Sequence, residues 1–253
     1  MKKYILVIIM LITLYFGYLN KEENEVVVNQ EEKVSNVDSL MVNMSSFNEK
    51  DILNYLNEII PNPVCELNYN KDYELLLKVM LSAQTTDKRV NTVTDSLFKK
   101  YDTLEKLKTL NLETIENYIK SLGMYKTKAK NFLLIVSEIS KLGYVPNDRT
   151  YLENLPGVGR KTTNVVLSNL YNVECVAVDT HVERVSKRLS LAKIDDTVLE
   201  VEKKLTKKFH NYSLSRLHHQ LVLFGRYKCK SKNPECITCP FKEICNYYKK
   251  KKH

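Results

Sequence analysis

Tryptophan is absent from the 253 residues, and glycine and proline occur only six times each. So few breakers, set among many segments whose apolar residues recur with the helical period of 3.6, read as an all-α chain. No internal repeat of solenoid period is present, which excludes a stacked-repeat architecture. No apolar run is long enough for a comfortable membrane span. The longest, Tyr4 to Leu19, follows Met1-Lys2-Lys3 and has the length of a signal-peptide core, yet no small-residue cleavage site follows it.

Residues 21–45 form a polar, acidic stretch without regular periodicity and read as a flexible linker. Its acidity argues against an organelle transit peptide. Three readings of residues 1–45 stay open: a signal or anchor, the leading part of a bipartite organelle address, or a start codon placed upstream of the real start at Met44. Any membrane contact would run through residues 4–19. The formal net charge is +9, and residues 51–253 carry 34 basic against 23 acidic side chains. A body of that sign suits an anionic partner, most commonly nucleic acid, although a lysine-rich composition has the same effect.

The body is expected to begin at Ser46, where Ser46-Phe47-Asn48-Glu49 fits a capping box before an amphipathic helix ended by Pro61 and Pro63. Apolar helices are expected at about 73–83 and 88–100, then around 104–107 and 112–122, with Gly123 as the C′ residue of the last. A further helix, about 128–142, stops at Gly143. Gln84 and Asp87 lie where the first apolar run breaks, as ordinary helix-end polar residues do.

Leu155-Pro156-Gly157-Val158-Gly159-Arg160-Lys161-Thr162 is a tight glycine turn opening a helix over about 160–171. Pro-Gly favours a turn with positive φ, and Gly159 permits close backbone approach. The turn is expected to leave amides free, and the first amides of a helix suit a phosphate oxygen. Arg160 and Lys161 oppose the helix dipole, which points to an anionic partner or to a lysine kept as a free-amine nucleophile. An ordinary connection with two solvated cations is the plainer reading. Asp179, before a helical run, reads first as an N-cap. Cys229, Cys236, Cys239 and Cys245 are spaced C-x6-C-x2-C-x5-C, a set that can surround a compact metal centre. That chemistry leaves an iron-sulfur cluster, zinc and disulfides open; Cys65 and Cys175 fall outside the pattern.

Taken together, Leu81-Ser82-Ala83-Gln84-Thr85-Thr86-Asp87, the hairpin from Leu155 to Asn164, Val178-Asp179-Thr180-His181-Val182 and the four cysteines resemble, in order, the endonuclease III family of helix-hairpin-helix DNA glycosylases. The resemblance runs from about residue 46 to 248. It implies two helical domains with a DNA-binding cleft between them. One is a six-helix hairpin domain over 65–172; the other is a cluster domain built from 46–64 plus 173–248, followed by a basic tail at 249–253. It implies a bifunctional glycosylase and abasic-site lyase acting on oxidised pyrimidines in damaged double-stranded DNA, as a monomer without a small-molecule cofactor. Lys161 would be the Schiff-base nucleophile and Asp179 its acidic partner, and the four cysteines would ligate a [4Fe-4S] cluster. Gln84 would fill the space left by the extruded nucleotide. Met124, where relatives often carry leucine, would wedge the duplex open, while Gly157, Val158, Gly159, Arg160, Lys230 and Lys232 would face DNA. His181 is given no catalytic role, and Asp87 is expected to be structural. The expected location is the cytoplasm or nucleoid, or a DNA-containing organelle. The rivals are an adenine-mismatch glycosylase, which lacks the nucleophilic lysine, and a non-catalytic DNA-binding iron-sulfur or zinc protein.

Overall fold

The computed structural model describes residues 48–252, and every regular element among them is helical. The apolar segment 1–20 and the acidic linker 21–45 lie outside the described residues. None of the described helices is long and apolar enough to cross a membrane.

The first helix, α1 (Glu49–Ile59), has its capping box two residues later than the sequence suggests. Asn48 accepts from the amides of Lys50 and Asp51, and the Asp51 carboxylate accepts from the amide of Asn48. Next come α2 (Asp72–Leu81), α3 (Asp87–Lys100), α4 (Leu104–Lys108), α5 (Leu112–Ile119), α6 (Tyr125–Leu142), α7 (Arg149–Glu153) and α8 (Arg160–Tyr171). Their apolar faces meet in one core that includes Leu76, Leu97, Ile115, Phe132, Val136 and Val166. Gly143 ends α6 at φ 79°, as its position predicts. Gly123 does not play the expected C′ role: the left-handed residue of that loop is Met124, at φ 55°.

An extended return leads from α8 to α9 (Thr180–Arg188), followed by α10 (Val198–Lys208), α11 (Leu214–Tyr227), a short 3-10 turn at Pro240–Glu243 and α12 (Asn246–Lys252). A second group of buried side chains, Leu56, Val185, Leu205, Leu221, Phe224 and Phe241, joins α1 to these later helices. Polar contacts reinforce that union: Gln220 Nε2 and Arg216 Nε donate to Asn57 Oδ1 at 2.9 and 3.0 Å. Phe241 packs edge-on to Tyr55, with ring centroids 5.0 Å apart, and near Phe224. Its full burial contributes roughly 2–3 kcal/mol and pins the turn between the last two cysteines. Residues 249–252 continue α12.

Candidate active site and cysteine centre

The hairpin turn is closed by a bond from the Val158 amide to the Leu155 carbonyl, 3.1 Å, with Gly157 at φ 79°. A side chain could not replace that glycine quietly, because a Cβ would lie 2.4 Å from Asn131 Nδ2. The same closure corrects one expectation. The amide of Val158 is not free, and its side chain is 3% exposed inside the core, so Val158 has no group left for DNA. Gly157 and Gly159 are exposed. Gly159 is the N-cap of α8 and brings no side-chain acceptor, and no acidic residue occupies the first turn. Arg160 is engaged within the protein: Nε and Nη2 donate to Glu202 of α10 at 2.8 and 2.7 Å. Lys161, next in the chain, is exposed.

The chain comes back to Lys161 because the return after α8 is pinned from two sides. Asn164, buried on α8, accepts from Arg149 at 2.8 Å and donates to the Val176 carbonyl at 2.9 Å. From α11, buried His218 faces the backbone of Ala177. Two residues later Asp179 caps α9, its Oδ1 accepting from the amides of His181 and Val182, both at 2.8 Å. The N-cap reading of Asp179 therefore holds. Both bonds fall on one oxygen, which leaves Oδ2 for chemistry.

Lys161 and Asp179 line the same cavity, of about 60 Å³, together with Cys65, Ser82, Asp87, His218, His219 and Arg226. Asp87 thus has a place in the site that its helix-end position did not announce. Burial raises its carboxyl above the ordinary range, opposed by nearby Lys161 and assisted by Asp179. Arg226 spans from Asp87, 3.0 Å away, to Glu66. His218 is fully buried, and that burial, with His219 and Lys161 beside it, pushes its imidazole down to about 3. It is therefore neutral. Its Nδ1 has no hydrogen-bond partner. The two histidines were legible as an interruption of the apolar stripe Leu214, Leu217, Leu221, but a pair within a core face does not declare itself part of a site. His181 lies on a neighbouring open groove with Asp87, Arg226 and Thr85, and its Nδ1 is 3.3 Å from Arg184.

The two expected duplex-entering residues are both exposed and both left-handed: Gln84 at φ 57° and Met124 at φ 55°. They flank α2 and α6, which pack together.

At the other end of α11, Cys229, Cys236, Cys239 and Cys245 line one cavity with Arg188, Phe224 and Tyr247. None is in a disulfide. Among the described residues, no three His, Cys, Asp or Glu side chains converge as ligands of a single ion do; the four thiols bound a shared space instead. Burial raises the thiols of Cys229 and Cys239, the latter to about 11 with the other three cysteines adding to the effect, so a cationic centre is what would make them thiolates. Arg188 donates to Cys229 Sγ at 3.3 Å and to the Lys230 carbonyl at 2.8 Å. Lys232 is exposed, and Lys230 is paired with Glu235 at 2.8 Å in a solvent-facing contact.

The profile of the HhH-GPD superfamily base excision DNA repair protein matches residues 77–211. Fold and site together define a helix-hairpin-helix protein of base excision repair. The chain is 46% identical over 199 residues to endonuclease III of Bacillus subtilis (strain 168), covering 76% of this chain and 89% of that relative. It is 40% identical over 209 residues to endonuclease III of Escherichia coli (strain K12), covering 82% and 99%. Among solved structures, a trapped endonuclease III–DNA covalent intermediate matches with a TM-score of 0.77 at 44% identity, covering 82% of this chain and all of that one. A non-covalent endonuclease III–DNA complex matches with a TM-score of 0.76 at 45% identity, covering 82% and 99%. The chain belongs to the endonuclease III family, and it is a DNA glycosylase and abasic-site lyase of base excision repair.

Proposed function

We propose that this enzyme removes oxidised pyrimidines from duplex DNA and cuts the strand 3′ to the resulting abasic site. The observation that carries the reading is the meeting of Lys161 and Asp179 in one cavity, each at the start of a different helix. DNA phosphates lie on the uncapped start of α8 and on exposed Lys232, while Gln84 and Met124 enter the stack. The damaged nucleotide turns into the cavity between a hairpin domain, 65–172, and a domain of 46–64 plus 173–248; the two groups of buried side chains support that division.

Lys161 attacks C1′ of the deoxyribose as the free amine, and the bond from C1′ to the base breaks with its electron pair leaving on the base. Asp179 stabilises the positive charge that grows on the sugar and takes the proton released by the attacking amine. Ring opening gives an imine between Lys161 and C1′. Loss of a proton from C2′ then expels the 3′ phosphate by β-elimination, and hydrolysis frees the lysine.

Cys229, Cys236, Cys239 and Cys245 would hold a [4Fe-4S] cluster, a fit supported by their shared cavity and by the Arg188 donor on Cys229 Sγ. Bound there, the cluster supplies cross-links that shape the loop bearing Lys230 and Lys232. Anaerobically purified protein is expected to contain iron and acid-labile sulfide; zinc without iron overturns this assignment. Free thiols and such a cluster suit a reducing, DNA-containing compartment, where the enzyme acts as a monomer.

The test of the reaction is borohydride trapping on a duplex carrying one thymine glycol. Wild type is expected to give a covalent protein–DNA adduct, and Lys161→Gln none. Duplex binding without an adduct in the wild type would assign the protein to the monofunctional or non-catalytic alternatives.

A further inference from the structure

Gln84 and Met124 share an unusual backbone state. Each is a non-glycine residue held at positive φ, 57° and 55°, a conformation disfavoured for long side chains without the local hydrogen bonds that Asn or Asp can make. Both are exposed, Met124 at 53%, so core burial does not offset the strain. Something else holds both turns.

One residue bonds to the backbone beside both of them. Lys128 is buried on the first turns of α6, with 4% exposure. Its backbone amide donates to the Met124 carbonyl at 3.0 Å, and its side-chain Nζ donates to the Ala83 carbonyl at 2.8 Å, across 45 residues of sequence. These carbonyls belong to the peptide just after Met124 and the peptide just before Gln84. No carboxylate pairs with the ammonium among the described residues, and burial pushes it below the usual lysine range. A buried cation facing a carbonyl is an expensive way to join two loops unless the join has a use. The carbonyl end of α2, directly beneath Ala83, lowers that expense by presenting the negative end of a helix dipole.

We propose that Lys128 is a positioning residue that locks the turns of Gln84 and Met124 together, so that both side chains enter the duplex as one unit when the damaged nucleotide leaves the stack. This rests on the glycosylase reading above for the role of those two side chains. Because the tie ends on backbone carbonyls and not on Lys161 or Asp179, removal of the Lys128 donor leaves those two in place and acts on the opening of the duplex.

The test compares wild type, Lys128→Met and Lys128→Arg on three duplexes. One carries thymine glycol and reports single-turnover base release. One carries 2-aminopurine beside the lesion and reports unstacking by fluorescence. One carries a preformed abasic site and reports borohydride trapping. Lys128→Met keeps the apolar stem and removes the donor; it is expected to lower base release and the unstacking amplitude about tenfold while trapping stays within twofold of wild type. Lys128→Arg, which restores a donor and the charge, is expected to recover most of both losses. Equal loss of trapping and base release, or no change in either, overturns the proposal.

Gln84→Ala and Met124→Ala, singly and together in the Lys128 background, give a measurement that does not depend on Lys128→Met folding. Coupling between them in base release supports a single unit, and strict additivity overturns it. Absence of a wild-type adduct at the abasic site counts against the lyase reading; an adduct present without coupling counts against Lys128 alone.

Discussion

The two helix starts that meet at the cavity solve the same problem in opposite ways. Every helix leaves its first amides without intrahelical acceptors. At α9 the Asp179 carboxylate fills that need, so the acid is fixed by the helix it caps. At α8 the need is left unmet: Gly159 has no side chain, the first turn has no acid, and two cations stand where a carboxylate would be usual. Elsewhere Thr86, Thr103, Asn111, Asp148, Thr197 and Ser213 cap their helices with side chains. The contrast supports the proposal that the start of α8 receives a DNA phosphate. Of the helices with a described N-cap, only α6 and α8 have neither a capping side chain nor an acid in the first turn, and they follow Met124 and the hairpin.

The contrast can be broken most sharply at Asp179. Asparagine caps a helix as well as aspartate does, so Asp179→Asn is expected to leave the melting temperature within a degree or two while single-turnover base release falls roughly 10³-fold. A proportionate loss of stability and activity would mean that the residue only caps.

The turn before α8 comes next. Gly157→Ala places a Cβ against Asn131 at positive φ and is expected to destabilise the fold by about 2–3 kcal/mol in urea unfolding, with DNA affinity falling in parallel. Wild-type stability in this variant would mean that the turn has a relaxed alternative.

His218 supports the approach to α9, and its depressed pKa makes a pH prediction. Between about 3 and the ordinary 6.5, the unfolded chain binds a proton at this site that the folded protein does not. Stability is therefore lost as pH falls below 6.5, with a slope from this group of up to about 1.4 kcal/mol per pH unit. His218→Gln, a neutral polar replacement, is expected to flatten that slope in chemical unfolding from pH 7 to pH 4; an unchanged slope assigns the acid sensitivity to other groups.

The smallest effect sharpens the comparison directly. Gly159→Asp gives α8 the cap that α9 already has. It is expected to raise stability by a few tenths of a kcal/mol and to weaken duplex binding about tenfold, because the new carboxylate takes the amides offered to phosphate. Improved stability with unchanged binding would remove the start of α8 from the DNA surface.

Much of this was legible in the chain. The bounds of α8, the stop at Gly143 and the capping role of Asp179 follow from local chemistry, since turn, cap and period are written within a few residues of where they act. Val158 differs from what the resemblance implies: the bond that closes the turn consumes its amide and the core takes its side chain. The capping box of α1 slipped by two residues because Asn48 and Asp51 form the same reciprocal pair as the Ser and Glu of the simple pattern.

By itself, then, the sequence determined an all-helical body, the glycine turn with its two cations, the capping aspartate and the four-cysteine spacing, all of them short-range features. Tertiary structure decided which partners they find. It gave Arg160 to Glu202 and left Lys161 exposed; it brought Cys65, Asp87 and the α11 pair His218 and Arg226 to the cavity from three separate stretches; and through Lys128 it tied the peptide before Gln84 to the one after Met124. The physical reason is that backbone conformation is settled by neighbours in the chain, while burial and pairing are settled by whichever distant faces the packing brings together.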